Sequence, residues 1–137
     1  MIMKTYNLTG LTELQLRITA KALDVYARLG LGQFRDALEC LPFKDDPNFD
    51  EWELMGEVSK ILAPHMIHEI NGMGRSLGIN SPELKEKHRT AFDACKVIRH
   101  FLAHRNRPLQ PGQMPSVDHD EPMQYSTEPL PTITEYT

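Results

Sequence analysis

Leu14, Ile18, Ala22, Val25 and Leu29 recur at gaps of four, four, three and four, the period of one face of an α-helix. Ala20, Leu23 and Ala27 widen that stripe, so the first helix is apolar over more than one face. Thr12-Glu13-Leu14-Gln15 opens it as a capping box, with Leu11 and Leu16 where a hydrophobic staple closes. Gly30 is expected to stop the helix, and Gly32 to turn a tight corner into a short segment, 33–41, closed by Pro42. Two helices meeting across so short a corner form a bent αα unit. Residues 42–50 are a loop by their prolines and Asx residues.

Asp50-Glu51-Trp52-Glu53 signals a third helix, whose core stripe reads Trp52, Met55, Val58, Leu62, Met66, Ile70, Met73 and Leu77. Pro64 removes a backbone donor inside it and predicts a kink. Ser81 as N-cap and Pro82 at the first helical position restart the chain. The fourth helix is expected over about 82–105, with Leu84, His88, Ala91, Cys95, Ile98 and Leu102 as an unbroken seam and Arg89, Asp93, Lys96 and His100 as a polar row. Beyond residue 106 the period vanishes, and six of the ten prolines lie there. The expected fold is therefore all-α. A small helical bundle with a helix-corner-helix unit occupies 1–108, and an extended proline-rich C-terminal arm occupies 109–137.

Composition narrows the class. With 137 residues, 40% apolar and 25% charged, the chain fits one soluble domain with a modest core. No apolar run approaches the roughly 18–20 residues that span a bilayer, so no integral membrane role is expected. The N-terminus has no apolar segment of the secretory type, and the two cysteines, Cys40 and Cys95, read as reduced, packed thiols; both point to the cytoplasm.

Charge changes the picture more. The net charge of −4 conceals an arm with five acids and no Lys or Arg over 111–137, and a stretch, 75–107, with eight bases against three acids. A locally basic segment in an acidic protein suits a confined anion site better than duplex nucleic acid, which needs a broadly basic surface; the alternative is a solvated helix face. The same asymmetry makes the basic fourth helix, of its own or a neighbouring subunit, the surface for an ordered acidic arm.

Catalytic signatures are lacking: there is no glycine-flanked nucleophilic serine, no phosphate-binding glycine loop and no zincin pattern. His100 and His104 stand one turn apart, and His65 and His68 three apart, so a metal-dependent hydrolase built on these four is a third-ranked reading against ordinary helix-face histidines. The most distinctive stretch is 22–34. Tyr26 offers a stacking ring, Arg28 a planar cation and Gln33 an amide that reads a carbonyl or base edge. With Arg99, His100 and Arg105 from the fourth helix, these six are the candidate ligand-binding residues. The competing reading of the corner is structural: Arg28 paired to Asp24 one turn earlier, and glycines needed only for the bend.

Three stretches, 22–34, Lys96-Val97-Ile98-Arg99-His100 with Asn106-Arg107-Pro108, and Asp120-Glu121-Pro122 with Glu128-Pro129-Leu130-Pro131, resemble small helical accessory proteins of tailed phages. The resemblance implies action in the cytoplasm of a bacterial host and transfers no catalytic residue. By extension from small phage inhibitors, it suggests sequestration of a nucleotide immune signal of the host. The expectation is a non-enzymatic, cofactor-free protein that binds a small anionic, nucleotide-like ligand and forms a homo-oligomer sharing arms or helices. The alternative is a protein–protein adaptor or inhibitor acting through the acidic arm.

Overall fold

A computed structural model describes residues 3–66, 77–106 and 109–136, and among them every regular element is helical. The helices are α1 (Glu13–Gly30), α2 (Arg35–Glu39), α3 (Glu51–Leu62) and α4 (Glu86–Asn106), with 3-10 turns at Ala63–His65 and Val117–His119. No helix among them is long and apolar enough to cross a membrane. The all-α architecture with its helix corner is the one the periodicity predicts.

The start of α1 follows its sequence signal closely. The Thr12 hydroxyl accepts from the Gln15 N–H (3.2 Å), and the Gln15 side chain accepts from the Thr12 N–H (2.8 Å). Its end departs from expectation, because the helix runs through Gly30 and the stop is made at Gly32, with φ +85°. The Gln33 N–H donates to the Arg28 carbonyl (2.8 Å) and the Gly32 N–H to the Leu29 carbonyl (3.1 Å), the Schellman arrangement that needs a left-handed residue at that point. Gly30 has another use: a Cβ on it would collide with the His88 ring of α4. The ring takes the space that a side chain on residue 30 would fill.

α1 and α4 run antiparallel and form the body of the molecule. Ala20 meets Ile98 and Leu102 at one end, and Tyr26 and Gly30 meet His88 at the other. Of the predicted seam, Leu84 just before α4 and Ala91, Cys95, Ile98 and Leu102 along it are each at most 7% exposed, whereas His88 is half-buried against Tyr26. On α1 the predicted stripe is corrected. Ala20 and Ala27 are buried and Leu16 and Leu23 pack beside them, whereas Leu14 and Ile18 are 67% and 59% exposed and Ala22 and Leu29 also face outward. The alanine face goes inward because small side chains let two helix axes come close.

Three further expectations shift. α4 begins at Glu86 rather than near 82, because Arg89 gathers the carbonyls of Ile79, Ser81 and Leu84 and holds that approach as a turn. The third helix ends at Leu62, just before Ala63-Pro64. Of its stripe, Met55 is buried and Trp52 is exposed beneath the Arg35 guanidinium (4.7 Å), while Ile70 and Met73 lie outside the described residues. Cys95 is buried as expected, but Cys40 is exposed, its thiol donating to the Asp36 carbonyl (3.2 Å).

Candidate functional site

The arm lies on α4 of its own chain, and the polar row of that helix holds it. Asp93, 2% exposed, accepts hydrogen bonds from the backbone N–H groups of Tyr125 (3.0 and 3.1 Å) and Ser126 (2.9 Å). Phe92 and Tyr125 meet edge to face, with centroids 5.6 Å apart. Two turns earlier Glu86 accepts from the Thr127 N–H, and this bond lowers the Glu86 pKa below its ordinary value. The Gln124 side chain donates to the carbonyls of Ser126 (3.1 Å) and Glu128 (2.8 Å), which turns the chain back. The returning segment lays Ile133 against the Ala20–Ile98–Leu102 cluster and ends with Glu135 on Arg105.

Charge organises the other end. An Asp118 oxygen stands 3.1 Å from Arg99 Nε and 3.7 Å from Lys96 Nζ. Burial by itself would lower the Arg99 pKa, but the Asp118 carboxylate, with Cys95 and Asp24 adding to it, raises it above the ordinary value. Burial, with the Asp24 charge second, pushes the Cys95 thiol up and leaves it a poor nucleophile. Nδ1 of His100 lies 3.1 Å from the Asp118 carbonyl, and Nε2 of His104 lies 2.9 Å from that of His119. A carbonyl only accepts, so each of those nitrogens carries its proton. The rings of His100, His104 and His119 meet edge to face in a row, 4.4 and 5.2 Å between centroids.

Between α4 and the returning arm is an open groove of about 480 Å³. Val97, Phe101 and Ile133 make its apolar floor, and His100, His104 and Arg105 its polar edge, with Glu135 across from them. A floor for a flat ring beside imidazole and guanidinium donors suits a small anion carrying an aromatic or sugar group.

The six residues proposed from the sequence fall in three places. Arg28 is engaged in the corner: its Nε is 3.1 Å from Asp24 and 3.2 Å from Asp36, and its Nη1 donates to the Gln33 side-chain oxygen (2.8 Å). Tyr26 lies against His88, with centroids 4.7 Å apart and Lys87 Nζ 5.9 Å from its ring. Arg99, His100 and Arg105 lie under the arm. Antiparallel packing sets Arg28 opposite the start of α4, roughly 25 Å from Arg105 at 1.5 Å per residue, so one small ligand cannot touch both. Of the structural reading of the corner, the Arg28–Asp24 pair and the bend at Gly32 are observed, while Gly30 makes room for His88 instead.

Asp93 was visible only as a member of the polar row; its use as the arm's clasp needs the arm's path. His119, the third ring of the imidazole row, belongs to that path too. Of the histidine pairs, His65 ends the 3-10 turn after α3, and His68 lies outside the described residues. Among the described residues no group of three or more His, Cys, Asp or Glu is placed to hold a metal ion. No protein-family model, curated protein or solved structure matches the chain.

Proposed function

We propose that this protein is a non-enzymatic binding protein that captures a small anionic ligand on the basic face of α4, with its own acidic arm as the resident competitor. The observation that carries the reading is the placement of two arm carboxylates, Asp118 on Lys96 and Arg99 and Glu135 on Arg105: the helix already binds anions, supplied in cis. A ligand that displaces Glu135 gains Arg105, the outer edges of His100 and His104, and the Phe101 floor. Taken with the resemblance to phage accessory proteins, the ligand class is a nucleotide, and the role is sequestration of a host signal in the bacterial cytoplasm.

Tight capture raises stability by mass action. At a hundredfold excess over Kd the gain is about 2.7 kcal/mol, roughly 9 °C in Tm for a chain of this size. A thermal-shift screen of cyclic and ADP-ribose-type nucleotides tests this. The expected result is a shift that Arg105→Ala removes and Arg28→Ala preserves; no shift with any nucleotide, or equal sensitivity to both substitutions, would refute the reading.

A second reading is favoured by a separate observation: Asp120, Glu121 and Glu128 of the arm face solvent, Glu121 with 93% of its side chain exposed. These acids suit a basic protein surface, as an adaptor or inhibitor requires. That reading predicts that neutralising the three abolishes function while Arg105→Ala does not.

A further inference from the structure

The outer face of α1 is an apolar feature that the anion-binding reading leaves unused. Leu14, Ile18, Val25 and Leu29 run along it with Ala22 at the middle, and an open groove of about 470 Å³, bordered by Lys21, Tyr26 and Cys40, follows all of these but Leu14. No described element covers it. Two opposed apolar faces on one helix, one of them packed on α4, leave the second to an intermolecular contact.

The arrangement of that face is palindromic. Turned end for end about a point between Lys21 and Ala22, Leu14 falls opposite Leu29 and Ile18 opposite Val25. Ala22, on the axis, has the small side chain that lets two backbones approach. The charges beside the stripe have the matching property. Glu13, Arg17, Asp24 and Arg28 share one flank, and a two-fold axis across an antiparallel helix pair sets like flank against like flank. Glu13 then meets Arg28 of the second copy, and Arg17 meets Asp24, each within two residues of the register set by the apolar side chains. Within its own chain Glu13 already pairs with Arg17 (2.8 Å) and Asp24 with Arg28 (3.1 Å), so the second copy sets these two in-chain pairs against each other, acid to base. The like charges that meet at the centre, Lys21 and its copy, are each 3.9 Å from an Asp36 carboxylate of their own chain. The opposite flank, Gln15, Thr19 and Tyr26, carries no formal charge.

We infer that the exposed face of α1 is an isologous dimer interface, occupied by α1 of a second copy of this chain running antiparallel. The inference is independent of what α4 binds. The 18-residue helix is about 27 Å long. One face of that length covers less than the roughly 800 Å² per partner of a standard interface, so the dimer is a weak, transient one.

Sedimentation velocity from about 1 µM to about 500 µM tests it. The wild-type protein is expected to pass from monomer to dimer. Ile18→Glu, which puts an unpaired charge at a position already exposed in the monomer, weakens association at least about thirtyfold without lowering Tm. In a Cys40→Ser background, Ala22→Cys lies on the axis and cross-links between copies under mild oxidation much faster than Lys60→Cys, on the exposed side of α3. A wild-type monomer throughout, an assembly larger than a dimer, dimerisation untouched by Ile18→Glu, or equal cross-linking at the two cysteines would each overturn the proposal. Capture of a different protein on this face by a chain that stays monomeric would overturn it too.

Discussion

Asp93 shows how much one side chain decides. A carboxylate in the interior is costly unless its lone pairs are filled, and here two consecutive backbone N–H groups of the arm fill them. Asp93→Asn keeps the size but sets an NH2 group against those donors and removes the charge that strengthens the bonds. The expected loss is about 2 kcal/mol, some 7 °C in Tm. Hydrogen exchange should show the amides of Tyr125 and Ser126 losing protection while those of α1 keep theirs; unchanged protection at both would contradict this role. Arg28 teaches the complementary lesson. Its residue type and setting suggested a ligand contact, yet Asp24, Asp36 and Gln33 lie within reach once the corner closes, and they hold its Nε and Nη1.

At the scale of elements, the contact between α1 and α4 depends on what is missing at Gly30. The His88 ring occupies the space a Cβ would need, lies on Tyr26, and has Nδ1 3.0 Å from the Tyr26 carbonyl. Gly30→Ala gains helix propensity, about 1 kcal/mol, and loses more by displacing the ring. The expected net cost is about 1–2 kcal/mol. Chemical denaturation of Gly30→Ala, His88→Ala and the double variant checks it: the double should be less destabilised than the sum of the singles, and simple additivity would show that the ring is not the obstacle. The seam of α4 and the capping box of α1 were legible because each depends only on residues within a turn or two of one another. The inward face of α1 was not. Periodicity reports that two opposed faces are apolar, and the choice between them is made by helix-to-helix distance, which Ala20, Ala27 and Gly30 shorten and Leu14 and Ile18 would lengthen.

For the molecule as a whole, the arm is a third layer whose attachment depends on ionised carboxylates. The Thr127 N–H holds the Glu86 carboxyl below its ordinary pKa, so its contribution to arm binding is complete above the unfolded carboxylate range. It is lost as pH falls through the lowered value of the folded state. Acidification below about pH 4 should therefore loosen the turn around 124–128 while the α1–α4 body persists. The Thr127 amide resonance, followed by NMR, should titrate with Glu86, and Glu86→Gln should abolish that titration; a Thr127 amide indifferent to pH in the wild-type chain would rule the link out. At this scale the same surface carries both the arm and the proposed anion site, so arm release and ligand capture are coupled through Arg105 and Glu135.

The order of helices, the corner near residue 32, the buried seam of α4 and the match between an acidic arm and a basic helix were all determined by the sequence alone, because they follow from local hydrogen bonding, side-chain periodicity and net charge. Which face of α1 turns inward, which carboxylate meets which cation, and which of six candidate ligand contacts remain near one another were decided only by the tertiary structure. Those outcomes depend on distances between segments remote in sequence, set by the close antiparallel packing of α1 on α4 and by an arm that reverses at residues 124–128.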